Sequence, residues 1–468
     1  MSRVILLHTN DIHGRVEGLA RVATLVARIR AEHPDTPVLY LDAGDIEETT
    51  SRLSNLTKGV AMHRLLSLAG CDAATIGNGG PLRYGVEVLS EYAAAARYPL
   101  LLANLRMHDG APLPGTHLRV TLEAGELRLG VIGVTTELNG DYERWFHLKA
   151  LDVAPLVREL AAAAEQDGAD TVIVLSHLGL PDDRTLANEV QEIVPLIIGA
   201  HTHNLLPEGE SVGDVTLAQA GQHAEHLGRV DLEWDGERLT VERVSVIPVG
   251  EDTPMAQAVL DEAQVIEREV TAYLDGVVGE LAAPLDFSEE RECGVGNLAA
   301  DMLRVRMDAE LAIVGGTQAF TGPLDAGPLR RVTLWDVCGS SANPGVVVMT
   351  GERLLAIVRR GLDPAFMAEK PRSLRGLARG PLHLSGAEVR DGALLVGGQP
   401  VDPARDYRVA GTDWELEPYG GYVEAEWDLR VQYDMPVIVR EAMEEYLAGA
   451  GPVAVTLGRI DGALDLTP

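Results

Sequence analysis

The feature that most constrains the fold is an alternation, from residue 3 to about residue 250, of short apolar runs with amphipathic stretches. The runs are rich in Val, Leu and Ile, and stretches such as 19–33, 58–70 and 153–168 have helical spacing. Strands that alternate with helices predict an α/β layer structure with a largely parallel or mixed sheet. The predicted strands are VILLH (4–8), VLYLD (38–42), AATIG (73–77), LLLAN (100–104), LGVIGV (129–134), TVIVLSH (171–177) and VPLIIGAH (194–201).

The pattern changes after this region. Residues 214–248 read as antiparallel strands, and residues 253–275 have helical spacing with many charges. We interpret that helix as a linker, with an ordinary surface helix as the alternative. The predicted domains are therefore 1–250 and 277–468, joined by a linker helix at 251–276.

The second domain mixes helices and strands. Residues 296–307 and 436–449 read as helices, and residues 309–316 and 345–351 as strands. Asp391-Gly392 lies between two apolar runs and predicts a hairpin turn.

Charge and cysteine content limit the possible partners and environment. The formal net charge of −32 repels phosphate backbones, so a nucleic-acid partner is not expected. Cys71, Cys293 and Cys338 are too far apart for a CxxC pair and predict buried free thiols in a reducing compartment. No window has the roughly 18 apolar residues of a membrane span, and no targeting segment is visible. We therefore expect a cytoplasmic protein with no membrane partner.

Polar side chains directly follow five of the predicted strands. In open α/β sheets, ligands gather at the carboxyl ends of strands, so we expect these side chains to share one crevice. They are Asp11 and His13 after VILLHTN, Asp42 and Asp45 after VLYL, Asn78 after AATIG, His177 after VIVLS, and His201 and His203 after LIIGA.

This set of donors is chemically coherent. Imidazole and carboxylate groups together suit Zn²⁺, Mn²⁺ or Fe²⁺. Two such metals about 3.5–4 Å apart can hold a bridging hydroxide and stabilise an in-line displacement at phosphorus. A single His after a strand is more often a capping or core residue, but the joint occurrence favours a metal site. The sequence has no P-loop, no GxSxG motif and no dinucleotide fingerprint to suggest another chemistry.

The motifs DxH, GD, GN, SH and GxHTH, in that order, resemble the signature of the calcineurin-like metallophosphoesterases. The flanking HTNDIHG and AHTHN are similar to the branch that includes 5′-nucleotidases, UDP-sugar hydrolases and 2′,3′-cyclic phosphodiesterases. GNLAADMLR, AELAIVGG and DYRVAGTDW match the second domain of that branch in order. The resemblance implies an N-terminal four-layer αββα sandwich and a C-terminal α/β (α+β) substrate-binding domain.

The same resemblance implies two divalent metal ions, Mn, Zn or Fe. Asp42 matches no ligand position, and His8 is expected to be a structural residue beside the site. One cation would be held by Asp11, His13, Asp45 and His203, and the other by Asp45, Asn78, His177 and His201, with Asp45 bridging the two.

One departure from the family pattern concerns proton transfer. The family has a His directly after the Asn, which donates to the phosphoryl oxygen or leaving group, and an Asp three residues further on that orients it. Gly79 and Leu82 stand at these positions. A positioned proton donor contributes about 10²–10⁴-fold, so we expect a slower enzyme or one restricted to good leaving groups. His223 is a candidate catalytic replacement, with a solvent-facing loop His as the alternative.

The nucleoside-binding motifs of the family are also incomplete. Gln318 stands where an Arg is expected, Ser341 where a stacking Phe is expected, and Gly420 where an Asp is expected. Residues 370–380, KPRSLRGLARG, are the one basic concentration and read either as an anion contact or as a solvated loop. The predicted substrate-binding residues are Asn343, Tyr422, Arg375 and Arg379.

These features predict a metal-dependent phosphoesterase that hydrolyses a nucleotide or related small-molecule phosphate ester through a metal-bridging hydroxide. Two alternatives stay open. One is a hydrolase of nucleotide-sugar pyrophosphates or cyclic phosphodiesters, and the other is a regulatory protein that binds metal and ligand with impaired catalysis. The sequence leaves the oligomeric state open.

Overall fold

The structure is a computed structural model that describes residues 2–371 and 378–462. The chain divides into two compact units, of which the first ends at Val270 and the second begins at Thr271. Among the described residues, no helix combines the length and the hydropathy needed to cross a bilayer.

The first unit alternates strands and helices as the sequence predicts, and a short 3₁₀ turn lies at Leu138–Gly140. Its strands are β1 (Ser2–Thr9), β2 (Val38–Asp42), β3 (Ala73–Thr75), β4 (Leu100–Leu101), β5 (Leu105–Arg106), β6 (Arg119–Ala124), β7 (Leu127–Thr135), β8 (Lys149–Ala150), β9 (Thr171–His177), β10 (Leu196–Ile198), β11 (Glu210–Val212), β12 (Val215–Ala218), β13 (His226–Trp234) and β14 (Leu239–Pro248). Its helices are α1 (Val16–Glu32), α2 (Arg52–Leu56), α3 (Val60–Leu68), α4 (Gly79–Tyr84), α5 (Val88–Ala95), α6 (Asp141–Phe146), α7 (Val153–Gln166) and α8 (Leu180–Val190).

Two mixed six-stranded sheets form the centre of this unit. The first sheet has the order β14-β13-β1-β2-β3-β4, and the second has the order β11-β12-β10-β9-β7-β6. Strands β1 to β4 run parallel, as do β7, β9, β10 and β12, while β13–β14 and β11–β12 are antiparallel hairpins. The antiparallel prediction for residues 214–248 is confirmed for β13 and β14, whereas β12 pairs antiparallel with β11 and parallel with β10.

The main core of this unit lies between the two sheets. Leu6 and Leu41 of the first sheet belong to the same buried cluster as Val131, Ile173 and Ile198 of the second. Alternate side chains of a strand point to opposite faces, so the other face of each sheet needs its own cover. Helix α1 packs on β2, and helices α7 and α8 share a second cluster with β7, β9 and β10. The four-layer αββα arrangement is confirmed.

Helix α9 (Gln257–Leu274) occupies most of the predicted linker and ends just beyond the division between the units. Val259 and Ile266 are fully buried, and Arg64 Nε donates a 2.8 Å hydrogen bond to Glu262. Most of the helix therefore packs as part of the first unit, and its role as a linker stays a prediction.

The second unit mixes helices with one central sheet of order β19-β16-β23-β18-β24 and a separate hairpin, β20–β21, which turns at Asp391-Gly392 as predicted. Two 3₁₀ turns lie at Pro418–Gly420 and Ala425–Trp427. Its strands are β15 (Val277–Leu281), β16 (Leu311–Gly315), β17 (Gly327–Arg330), β18 (Pro344–Thr350), β19 (Leu382–Ser385), β20 (Ala387–Arg390), β21 (Ala393–Val396), β22 (Gln399–Pro400), β23 (Asp406–Thr412) and β24 (Gln432–Tyr433). Its helices are α10 (Gly294–Arg306), α11 (Gly316–Ala319), α12 (Arg331–Val337), α13 (Gly351–Gly361), α14 (Pro364–Met367), α15 (Asp413–Leu416) and α16 (Val439–Ala448).

Candidate metal centre

The candidate donors come from two facing sheets rather than from one. Loops after β1, β2 and β3 of the first sheet carry Asp11, Asp45 and Asn78. Loops after β9 and β10 of the second sheet carry the His residues, with His177 as the last residue of β9. The carboxyl ends of the parallel strands in both sheets therefore contribute to one site.

A first group of donors contains Asp11, His13 and His203. The Nε2 atoms of the two imidazoles lie 3.1 Å apart, and Asp11 Oδ1 lies 3.4 Å from His203 Nε2 and 3.9 Å from His13 Nε2. Two imidazoles that bind one cation at about 2.1 Å have their nitrogens about 3.0–3.4 Å apart. The spacing of this group therefore fits a single shared cation.

A second group contains Asp45, His177 and His201. Asp45 Oδ2 lies 3.3 Å from His177 Nε2, and the ring centroids of the two His residues are 5.2 Å apart. His177 Nδ1 lies 2.7 Å from the Ala43 carbonyl oxygen, to which it donates. That bond fixes the tautomer and leaves Nε2 directed at the site, as is usual for a ligating imidazole.

One buried atom in this region lacks a protein partner. Asn78 Oδ1 has no hydrogen bond from any described residue, whereas His177 Nε2 faces Asp45 Oδ2 at 3.3 Å. Buried polar atoms are normally satisfied, so an unpaired amide oxygen next to Gly79, whose N–H binds Asp45, is consistent with an ion-binding site. The donor types and the unpaired Asn78 Oδ1 fit divalent cations, while the bridging role of Asp45 stays a prediction.

The ionisation of Asp45 and His177 is coupled. Burial alone would raise the pKa of Asp45, but the charge and hydrogen bond of His177, with the Gly79 N–H, bring it well below its usual range. Burial lowers the pKa of His177, but Asp45 outweighs this and raises it to about 9. A raised pKa means that His177 Nε2 tends to hold a proton. Imidazole binds a metal through a neutral nitrogen, so a cation that binds His177 competes with this proton.

The site is built from an unusual concentration of left-handed backbone. Six of the fourteen described non-glycine residues with positive φ lie in or beside it. Such conformations are uncommon away from Gly and cluster where function demands a particular direction of the side chain. They are Asp11 (φ 51°), His13 (47°), Asp45 (53°), His201 (70°), His203 (56°) and His223 (59°).

Two glycines allow the second group to assemble. A Cβ atom on Gly77 would overlap Asp45 Oδ1, and one on Gly44, which has a φ of 94°, would lie 2.9 Å from His177 Nδ1. Their lack of a side chain brings the loops after β2 and β3 into direct contact. A larger residue would not fit in these two positions, which explains why the GD motif and the GN motif each contain a Gly.

Gly79, which stands where the resemblance places a proton donor, serves the site through its main chain. Its N–H donates a 2.7 Å hydrogen bond to Asp45 Oδ1. The half-buried Leu82 lies in α4, and its side chain cannot orient a proton donor. The described residues around Gly79 therefore leave the acid position of the family without a titratable side chain.

His223 lies beside the first group without joining it. Its ring centroid is 5.8 Å from that of His13, and its main-chain N–H donates a 2.8 Å hydrogen bond to the Asp11 carbonyl. Burial, followed by the charge of Arg15, lowers the pKa of its half-buried imidazole. This placement keeps His223 as a candidate for proton transfer.

Asp42 and His8 behave as expected of residues outside the donor set. The Asp42 carboxylate accepts hydrogen bonds from Thr9 Oγ1 at 2.6 Å and from the Gly44 N–H at 3.0 Å. Burial raises its pKa to about 7. His8 is buried against Gly228, and burial lowers its pKa to about 4.

The sequence prediction missed several main-chain contacts and one side chain. The Glu47 carbonyl lies 3.3 Å from His13 Nδ1, and the Ala43 carbonyl binds His177. Main-chain groups carry no residue-type signal and could not have been found. Asn10 hydrogen-bonds to the Asp11 carboxylate, and its place beside the DxH motif was the available clue.

In the second unit, two of the predicted substrate contacts, Tyr422 and Arg379, pack against other groups of the unit. Tyr422 is 1% exposed and packs edge-on against Phe366 with ring centroids 5.0 Å apart, so it offers no open face for a base to stack on. Arg379 is buried, lies over the Phe366 ring, and donates from Nε to Glu369 at 3.1 Å and from Nη1 to the Gly420 carbonyl. Both side chains thus pack within the unit, and their contact with a substrate stays a prediction.

The other two predicted contacts also remain predictions. Asn343 is half-buried, and its Nδ2 donates a 2.7 Å hydrogen bond to the Val437 carbonyl, while Arg375 lies outside the described residues.

The absence of the Asp from the third nucleoside-binding motif has a steric explanation. A Cβ on Gly420 would overlap the Trp414 carbonyl oxygen, so this position has no room for a side chain in the observed backbone.

Facing sheets that bring carboxylate and imidazole groups together at their strand ends define an α/β protein suited to holding divalent metal. The family model for calcineurin-like phosphoesterases matches residues 5–205, and the model for the 5′-nucleotidase C-terminal domain matches residues 277–425. Residues 5–205 therefore form a calcineurin-like phosphoesterase domain, and residues 277–425 form a 5′-nucleotidase C-terminal domain. The chain is a phosphoric ester hydrolase of a family that uses divalent metals.

Named relatives agree with this assignment. YunD of Bacillus subtilis, described as an uncharacterized metallophosphoesterase, is 27% identical over 431 residues, 87% of this chain and 91% of its own. The trifunctional nucleotide phosphoesterase YfkN of the same organism is 26% identical over 409 residues, 76% of this chain but 27% of its own. The crystal structure of a 5′-nucleotidase precursor from Thermus thermophilus shares the fold, with a TM-score of 0.56 and 20% identity over 99% of this chain and 100% of that one.

Proposed function

We propose that this chain hydrolyses nucleotide-like phosphate esters with good leaving groups, using two divalent cations held in the two donor groups. The observation that carries the proposal is the pairing of these groups with an orphaned Asn78 Oδ1 beside them. Similarity to a nucleotide phosphoesterase supports a nucleotide-like substrate.

The side chains of the two donor groups would bind the cations, and main-chain groups beside them would hold those side chains in place. When bound, the cations would supply activation of water and neutralisation of charge on the phosphoryl oxygens. Asp11, His13 and His203 would hold one cation, and Asp45, Asn78, His177 and His201 the other. The Ala43 carbonyl and the Gly79 N–H keep His177 and Asp45 in place, so the donor set is ordered before substrate arrives.

The preference for a good leaving group follows from Gly79. With no acid side chain there, the departing oxygen leaves without a positioned proton, and the penalty grows with the basicity of that oxygen. Nucleotide-sugar pyrophosphates and cyclic phosphodiesters are therefore the second candidate substrates.

The direct test is a metal-dependent substrate panel. Protein treated with a chelator should lose turnover, and Mn²⁺ or Zn²⁺ should restore it. Aryl phosphates and pyrophosphates should be hydrolysed faster than nucleoside monophosphates, by about 10²-fold if the missing acid is uncompensated. Nucleotide binding without metal-dependent turnover of any substrate would instead support the regulatory alternative.

His223→Ala tests whether this imidazole supplies the proton. If it does, kcat for phosphate esters with poor leaving groups should fall by about 10²-fold, with little change for activated aryl esters. The measurement is the slope of log kcat against leaving-group pKa. His226→Ala, three residues further along and at the start of β13, is the matched control. Equal slopes for both variants and the wild type would assign His223 to the loop alone.

A further inference from the structure

We propose that Asn10 is a positioning residue that sets the orientation of the Asp11 carboxylate and links it to the segment 220–223. The inference rests on the function proposed above and deepens it, because it assigns a residue that prepares one of the two cation sites. Asn10 lies between the end of β1 and Asp11 and is 2% exposed.

The Asn10 amide is used from both ends. Its Nδ2 donates to Asp11 Oδ2 at 2.8 Å and to the Gly221 carbonyl at 2.5 Å, and its Oδ1 accepts from the Ala220 N–H at 2.9 Å. Both amide hydrogens and one oxygen lone pair are therefore engaged, in a buried place where unmade hydrogen bonds are costly.

The contact with Asp11 decides which carboxylate oxygen faces the imidazoles. Oδ2 receives Asn10 Nδ2 at 2.8 Å, and the His201 N–H is shared between Oδ2 at 3.1 Å and Oδ1 at 3.3 Å. Oδ1, which Asn10 does not contact, lies 3.4 Å from His203 Nε2. An amide holds the carboxylate without neutralising it, so the negative charge stays available to a cation.

The other end of the amide fixes the segment that approaches the site. Ala220 and Gly221 are bound to Asn10, and His223, shortly after them, donates its N–H to the Asp11 carbonyl. Asp11 is thus held through its side chain by Asn10 and through its main chain by the segment that Asn10 anchors. Loss of the amide removes both restraints on the first donor group.

Neither Asp nor Ala can make these contacts. Asp at position 10 could not donate to Asp11 or Gly221 and would add a second negative charge beside Asp11. Ala would leave Asp11 Oδ2, the Gly221 carbonyl and the Ala220 N–H without their side-chain partner. Outer contacts to ligating residues typically change metal affinity by about 10–100-fold, which sets the expected effect.

The test is calorimetric titration of metal-free full-length protein with Mn²⁺. Wild type should show two binding events, and Asn10→Ala should weaken one of them by about 10–100-fold and leave the other unchanged. Asn10→Asp keeps the size of the side chain and should show the same selective loss. It serves as the second variant if Asn10→Ala folds poorly, with folding checked by circular dichroism.

Asn104→Ala is the matched control. Asn104 is also 2% exposed and makes two hydrogen bonds, to the carbonyl and the N–H of Thr135, at 2.7 and 2.9 Å. It should lower Tm by a similar amount and leave both Mn²⁺ affinities unchanged. Two unchanged affinities in the Asn10 variants would overturn this inference alone, whereas a wild type that takes up no Mn²⁺ would overturn the proposed function and the inference with it.

Discussion

Asp45→Asn should lower phosphoesterase turnover by about 10²–10³-fold, the range seen when a single preorganised electrostatic contact is removed. Asp45 is 5% exposed, accepts the Gly79 N–H through Oδ1, and presents Oδ2 to His177 at 3.3 Å. The Asn side chain has no charge, and its NH₂ group would lie against either the Gly79 N–H or His177 Nε2. The measurement is kcat with an activated aryl phosphate at saturating Mn²⁺, alongside metal stoichiometry.

Asp42→Asn is the control for this effect. Asp42 is as buried as Asp45 and ends β2, but its carboxylate binds Thr9 and Gly44 and faces neither donor group. The Asp42 variant should keep most of its turnover and both cations. Comparable losses in the two variants would mean that any buried charge at this strand end matters, and would contradict the specific role of Asp45.

Gly77→Ala should have the second largest effect, because its methyl group would occupy the space of Asp45 Oδ1 and of the Asp45 main-chain nitrogen. Relieving the overlap requires a movement of the loop after β2 or of the loop after β3. We expect a loss of about 1–3 kcal/mol in the free energy of unfolding, as for other overpacked positions. We also expect the rise in Tm that Mn²⁺ produces in the wild type to disappear, since binding stabilises only an intact site.

Gly79→Ala provides the comparison within the same loop. Its Cβ would lie 3.1 Å from Asp45 Oδ1, so a shift of a few tenths of an ångström is sufficient. The substitution also adds helix propensity at the first residue of α4, worth at most about 1 kcal/mol. This variant should retain the Mn²⁺-dependent rise in Tm. If Gly77→Ala retains it as well, the close approach of the two loops does not matter for metal binding.

The parts of the site that follow from local patterns could be predicted from the sequence. Asp11, Asp45 and His177 stand where an apolar run ends, and strand ends are recognisable from periodicity. The periodicity does not reveal which strands share a sheet. The strand pattern suggested a crevice at the edge of one sheet, whereas the donors come from two facing sheets. The donors nevertheless converge, because parallel strands of both sheets end at the same place.

The substrate side was less predictable for a different reason. Tyr422 and Arg379 have the residue types of a ligand clamp, but packing decides whether an aromatic face or a guanidinium is free. Here Phe366, Glu369 and the Gly420 carbonyl engage them. Such contacts join residues far apart in the chain and leave no periodic pattern.

The left-handed backbone of the donor loops has a consequence for attempts to engineer this protein. Each such residue destabilises the folded protein by on the order of 1 kcal/mol or more. In the metal-free protein no bound cation offsets this loss. Screening variants for thermal stability alone would therefore favour Gly or Asn at positions such as His201 and His203. It would select thermostable proteins without hydrolytic activity. A useful screen would score survival and hydrolysis together, with cations present throughout.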